Sequence, residues 1–413
     1  MNNLTGKKIS ILFAVLLGTT FSQVASAVPA YARQTGLACN ACHFQSFPAL
    51  NELGRSFKAN GYTMKGPQQT IEGSEGLSLP QTLNASVSLK IRHQKSDGAP
   101  VEGTNTTNDG QLQFPDELLV FMGGRVSENI GAQLALNLNS KGAEPVVEGF
   151  KMPFIYGVEE GIKAGVIPFT TATQGAAYGF ELLNTGAVRG ARIMEADKSF
   201  SAQQYINTAS AAEGIAVVAS NENFFVNVSK WSPRSVGAAN SGSPTATYLR
   251  VAFTPKVGSW DTAFGVQNWD GSAKEPVALT SVITRAYAID AQMQGDMNGI
   301  PIGLYLTYAN ASAAEAGSAP NFFNNAANAR TALTLAAQLG VLPGRASVLA
   351  ALRKGDNGAD TNSGDNSVML GATYLLVQNV QLQFNYERFF GTAYDVSPAF
   401  GNQMATFLLF AAF

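Results

Sequence analysis

From Thr82 to Phe413 the chain alternates apolar and polar residues with period two, and that period restricts it to strands with two unlike faces. Ala132, Leu134, Leu136 and Leu138 alternate with Gln133, Asn137 and Asn139. Val380, Leu382, Phe384 and Tyr386 alternate with Gln381, Gln383, Asn385 and Glu387. Phe224, Val226 and Val228 repeat the pattern against Asn227 and Ser229. A soluble sandwich would alternate as well, so composition has to separate the two. Charged residues make up 14% of the chain, against about 25% in soluble domains. Hydrophobic residues reach 46%, yet the mean hydropathy is only +0.03, so apolar and uncharged polar residues are finely mixed. A membrane barrel needs that mixture, apolar towards lipid and polar towards a lumen. The expected fold is all-β: a transmembrane antiparallel barrel of about 16 strands over 82–413. A net charge of −2 and a pI of 5.8 give no reason to expect nucleic acid.

Connections support the same architecture. Short turns at 127–129, 159–161, 221–223, 255–258 and 378–379 alternate with longer segments at 96–113, 169–205, 233–245, 270–280, 310–328, 354–366 and 390–402. Short periplasmic turns and long outer loops are the expected asymmetry, with both termini periplasmic. The Ala- and Leu-rich stretch 331–352 reads either as a helical hairpin or as two strands turned at Pro343-Gly344. Phe407, Leu409 and Ala411 alternate to a terminal Phe413, which resembles the assembly signal of bacterial outer-membrane barrels.

Residues 1–27 read as a secretory signal peptide. Lys7 and Lys8 precede an apolar core from Ile9 to Leu17, and Ala25-Ser26-Ala27 forms an A-x-A cleavage site. The core is too short for a membrane span of about 20 residues. The mature chain is expected to begin at Val28.

The chemistry is concentrated in Cys39-Asn40-Ala41-Cys42-His43, the C-x-x-C-H pattern of covalent haem attachment. Two thiols three positions apart can add to the two vinyl groups of one porphyrin, and the adjacent histidine supplies a nitrogen to the iron. A structural disulfide or a redox dithiol are the alternatives. Cys39 and Cys42 are the only cysteines, and His43 and His93 the only histidines. Haem c is therefore the expected cofactor, with His43 as proximal ligand. For the distal ligand the nearest soft donor is Met64, with His93 as the alternative and Lys58 and Lys65 as weaker ones. His93 shares the parity of Leu89 and Ile91, which points it away from the polar face.

The haem segment is expected over 28–75, with a short helix opened by Pro48 and ended by Gly61. Phe44, Phe47, Leu50, Leu53 and Phe57 would line either a porphyrin or the barrel wall. About 45 residues are too few for a core of their own. Gly- and Ser-rich residues 76–81 close a flexible linker that begins near Gly66-Pro67.

The chain resembles the fused outer-membrane monohaem cytochrome c–porins, a family with iron-oxidising members. Tyr31-Ala32-Arg33-Gln34-Thr35-Gly36, then 39–43, Phe47-Pro48, Gly54-Arg55-Ser56-Phe57-Lys58 and Gly61-Tyr62 carry the likeness. Asp116-Glu117-Leu118 and 124–131 extend it into the barrel. The resemblance implies a cytochrome segment plugging the pore, extracellular Fe(II) as electron donor, and a periplasmic carrier (a cytochrome c or a copper protein) as acceptor. The resemblance thus implies an oxidoreductase of the outer membrane. Electron transfer needs no acid, base or nucleophile, so no catalytic residue is expected. Oxygen ligands for Fe(II) at the outer mouth are sought among Asp97, Glu102, Asp109, Glu181, Glu195, Asp197, Asp356, Asp360 and Asp365, although an outer-sphere reaction needs none. Lys90 and Arg92 face inward, towards haem propionates or simply the pore. A conduit for another extracellular donor or acceptor, or a solute porin whose haem plug senses or gates without turnover, are the other readings.

Overall fold

The computed structural model describes residues 29–74, 78–100, 106–140, 146–159, 161–186, 200–235, 242–314, 317–395 and 401–413. The signal peptide and Val28 lie outside them. Three short helices lead the chain: α1 (Pro29–Thr35), α2 (Cys39–Cys42) and α3 (Glu52–Ala59). The barrel follows as β1 (Ala85–Ser96), β2 (Gln111–Arg125), β3 (Gly131–Ser140), β4 (Val146–Lys151 continuing as Phe154–Glu159), β5 (Ile162–Thr171), β6 (Ala212–Ser220), β7 (Phe224–Pro233) and β8 (Ala246–Phe253 continuing as Lys256–Val257). It is completed by β9 (Trp260–Asp270), β10 (Ala286–Met297), β11 (Ile300–Ala311), β12 (Arg330–Leu342), β13 (Ala346–Asp356), β14 (Asn366–Val377), β15 (Val380–Phe390) and β16 (Gln403–Ala412). A short α-helical turn, α4 (Ala202–Tyr205), and a 3-10 turn at Ala176–Tyr178 lie between β5 and β6.

The hydrogen-bonded ring is closed and antiparallel throughout. It contains eighteen segments, of which two pairs are the halves of β4 and β8, leaving sixteen staves. Met152-Pro153 interrupts β4 and Thr254-Pro255 interrupts β8, each at a proline that cannot donate to the ladder. The seam between β16 and β1 pairs Phe407 with His93 and Phe410 with Lys90. Phe413 extends it by exchanging both backbone hydrogen bonds with Val87. Closure leaves no unpaired strand edge, which a lipid environment forbids.

The two faces differ as the period requires. Ile215, Val217, Phe264, Val266, Ile289 and Leu370 are exposed on the outside, while Asn227, Ser229, Gln267, Gln292, Thr307 and Asn385 are buried inside. The 331–352 stretch is two strands, β12 and β13, turned at Pro343-Gly344, not a helical hairpin. All the short turns lie at one end of the barrel, including Asn298-Gly299, a two-residue hairpin loop with both residues at positive φ.

The lumen is not an open tube. Residues 172–186 and 200–211 of the β5–β6 connection fold inward as an inner loop. Its Tyr178, Phe180, Leu182, Leu183, Tyr205 and Ile206 form one buried cluster with Ala216, Ala252, Ala288 and Ala309 of the wall. These inward alanines are almost wholly buried, and their small side chains leave room inside the barrel. Phe323, from the β11–β12 connection, stacks on Trp231 with ring centroids 5.9 Å apart, near the long-loop end.

The N-terminal segment occupies the short-turn end. The third helix begins at Glu52, later than Pro48, because the Asn51 side chain caps it, accepting from the Gly54 N–H at 3.0 Å. Gly61, with φ +65°, ends the segment's helical part as expected. Residues 66–80 are not a plain linker: Thr70–Glu72 and Ser78–Pro80 pair as a small ribbon.

Candidate functional site

The motif folds as one helical turn capped by its own histidine. The N–H of His43 donates to the Cys39 carbonyl at 2.9 Å, and His43 leaves the turn in an extended conformation. The chain then doubles back. Phe44 N–H donates to Ala49 O at 2.9 Å, Asn51 N–H to Cys42 O at 3.1 Å, and His43 bridges to Leu50. Asn51 Nδ2 donates to Ala41 O at 2.9 Å, so one side chain ties the motif to α3. Gly54 allows that closeness, since a Cβ there would lie 2.1 Å from the Cys42 carbonyl oxygen.

This doubling-back orients the imidazole. His43 Nδ1 lies 3.1 Å from the Ala49 carbonyl oxygen, and only an N–H can make that bond. In the neutral ring this contact places the proton on Nδ1 and leaves the lone pair to Nε2. This is the tautomer and carbonyl partner that metal-bound histidines use. Cys39 and Cys42 are not joined in a disulfide, and burial pushes the Cys42 thiol up. The donor set thus fits a porphyrin held by two thioethers and one imidazole.

The barrel grips this segment at several points. The Phe47 ring stacks on inward Phe410 of β16 at 5.4 Å and sits edge-on to His43 at 5.5 Å. Gln45 accepts from the Gly344 N–H at 3.2 Å. Arg55 is bidentate on Asp261 of β9, at 2.6 and 2.7 Å. Gln34 of α1 accepts from the Arg125 N–H at 2.9 Å. Gly131 approaches Gly61 so closely that a Cβ would lie 1.8 Å from its carbonyl oxygen. Phe44, Phe47 and Phe57 pack on the wall or on Tyr31 and Tyr62.

The wall beside Phe410 is polar and under-satisfied. Gln381, its cross-strand neighbour on β15, has a buried Nε2 with no hydrogen-bond partner among the described residues. The same holds for both amide atoms of Asn385 and for Oε1 of Gln94. Buried polar atoms are normally paired; a bound group or water with acceptors and donors would satisfy these.

Other expected residues divide. His93 lies on the outer face, with Arg92 and Gln94 buried on either side of it, so it does not reach the lumen and is removed as a distal ligand. Met64 is half-buried after α3, where its carbonyl accepts from Gln34 at 2.8 Å. Lys58 lines a small cavity between α3 and the inner loop, while Lys65 is exposed on the short-turn side. Lys90 and Arg92 point inward but are paired with Glu117 (3.2 Å) and Asp116 (2.7 Å) of β2, not set aside for propionates.

The acidic candidates do not converge. Among the described residues no group of three or more His, Cys, Asp or Glu is placed to hold a metal ion. Glu181 is buried in the inner loop beside Arg250, which also binds Asp290. Asp365 pairs with Arg353 at 2.6 Å. Asp97 accepts from the backbone of Asn402 and Gln403, Asp356 from Gly358 and Ser363, and Asp360 from Asn328. Asp109 is exposed. Glu102, Glu195 and Asp197 lie outside the described residues. The Arg250–Asp290–Glu181 cluster itself was missed in the sequence, because a lone Arg in a strand gives no sign of its partners.

No protein-family model matches the chain, and no curated protein matches it. Solved barrels do. The chain is similar to a loop-deletion mutant of OmpT, an outer membrane protein of Vibrio cholerae, at 11% identity and TM-score 0.48, covering 80% of this chain and 99% of that one. It is similar to the outer membrane channel DcaP of Acinetobacter baumannii at 9% identity and TM-score 0.49, covering 80% and 97%. It is also similar to Salmonella typhi OmpF, solved with daunomycin, at 12% identity and TM-score 0.49, covering 84% and 100%. The barrel assignment stands on its own closed strand register.

Proposed function

We propose that this chain is a bacterial outer-membrane barrel whose periplasmic end is plugged by a mono-haem c-type cytochrome segment, and that it passes single electrons from extracellular Fe(II) to a periplasmic carrier. The observation that carries the reading is the 39–43 turn, held inside the short-turn end with the Nδ1 of its histidine against the Ala49 carbonyl. Cys39 and Cys42 would hold the porphyrin, His43 Nε2 would bind its iron, and Met64 is the candidate for the opposite face. Haem c supplies a one-electron couple. This chain's own residues exclude and orient: Phe47, backed by Phe410, sits edge-on to the imidazole, α3 is pinned by Arg55, and the inner loop fills part of the lumen. The export signal read in the sequence, a closed strand ring and an apolar outer face support the outer membrane as the site.

A second reading, a solute porin with a haem-bearing gating plug, is favoured by the under-satisfied polar wall of β15 and β1. Liposomes containing the purified protein separate the two. The conduit reading expects an enclosed oxidised acceptor to be reduced when Fe(II) is added outside, with no sugar swelling. Swelling in small sugars without electron transfer would replace it with the porin reading.

A further inference from the structure

The inner loop and the haem motif meet at one side chain. Asn184 is fully buried. Its Oδ1 accepts from the Leu50 N–H at 2.7 Å, and its Nδ2 donates to the Leu50 carbonyl at 2.9 Å. The amide therefore does for Leu50 what a neighbouring strand would do, and only one amide orientation serves both bonds. Asn184 is itself fixed to the wall. Its backbone N–H donates to Gln292 of β10 at 2.8 Å, and the next hydroxyl, Thr185 Oγ1, donates to Asp290 at 2.6 Å. On its other side Leu50 bridges to His43, and the preceding carbonyl, Ala49, holds His43 Nδ1. A continuous run of hydrogen bonds thus joins β10, through Asn184 and the Ala49-Leu50 backbone, to the imidazole.

We infer that Asn184 is a positioning residue for the haem ligand, an inference that rests on the haem reading above. Hydrogen bonding of Nδ1–H to a carbonyl raises the basicity of the other ring nitrogen and fixes the ring. A more basic ligand favours the oxidised iron and lowers its potential. Release of Leu50 lets the Ala49 carbonyl drift from His43, so the potential rises.

The test is a spectroelectrochemical titration of the full-length protein in detergent, with low-spin electron paramagnetic resonance. Asn184→Ala is expected to keep wild-type haem content, shift the midpoint positive and broaden the low-spin signal. Asn184→Asp, which keeps the acceptor but loses the donor, shifts it less in the same direction. Thr208→Ala, which loosens the same loop by removing a hydrogen bond to the Gln203 carbonyl without touching Asn184 or Leu50, keeps the wild-type midpoint. Wild-type midpoint and spectrum in Asn184→Ala overturn the inference, as does an equal shift in Thr208→Ala. If Asn184→Ala loses the heat-modifiable migration of a folded barrel, Asn184→Asp decides alone, and a wild-type midpoint there overturns it. Wild-type protein with no porphyrin fails the haem reading instead, a result visible before any variant is made.

Discussion

Arg55 and Asp261 hold α3 to the barrel through a two-pronged ion pair, with side chains only 8% and 15% exposed. Asp261→Ala leaves the guanidinium buried with no opposite charge. Breaking a buried pair by removing one partner costs about 3–5 kcal/mol. Water reaching the Asp261 side of the pair places the expected cost near the lower end, about 3 kcal/mol. At 1.36 kcal/mol per decade, that raises the fraction of molecules with the segment released by roughly a hundredfold. Trypsin reads this fraction when release and return are fast relative to cleavage. Cleavage after Lys58 in folded, detergent-solubilised protein should accelerate by that factor while the barrel itself stays resistant. Replacing both residues with Met should restore slow cleavage, since an apolar pair removes the stranded charge. An Asp261→Ala rate within roughly threefold of wild type would refute the claim that this pair fastens the segment.

Four further outcomes follow from the same geometry. Cys39→Ala with Cys42→Ala abolishes covalent porphyrin, read as loss of haem staining in denaturing gels, while heat-modifiable migration of the barrel persists. Met64→His lowers the haem midpoint, because histidine in place of methionine removes the ligand that raises it; an unchanged midpoint removes Met64 as the distal ligand. Arg250→Ala strands Asp290 and Glu181 in the lumen and costs about 3–5 kcal/mol, measurable as a lower urea midpoint. Deleting Phe413 removes two backbone hydrogen bonds at the closing seam and lowers the yield of assembled barrel, scored by heat-modifiable migration.

The barrel was legible because alternation is local: Val380 to Glu387 shows both faces of β15 before any partner is known. His93 was correctly turned outward by parity alone. What was not legible depends on packing between distant segments. The expectation of a polar lumen overlooked Ala216, Ala252, Ala288 and Ala309, small residues at inward positions that signal a filled interior. Glu181 looked like a loop carboxylate because its partner, Arg250, is 69 residues away. The 48–61 helix was begun too early because proline at a first turn and proline before an Asn cap look alike in sequence. The 39–43 motif stood out in the sequence, but the carbonyl partner of His43 at Ala49 and the Asn184 clamp needed the fold.

The central claim is that one porphyrin, held by Cys39, Cys42 and His43 in the periplasmic mouth, receives electrons from outside the cell. Optical spectra of intact cells carrying the protein, before and after addition of external Fe(II), test it directly. The account predicts the bands of reduced c-type haem in the wild type and their absence in the double cysteine variant. A porphyrin that dithionite reduces but external Fe(II) leaves oxidised would contradict it.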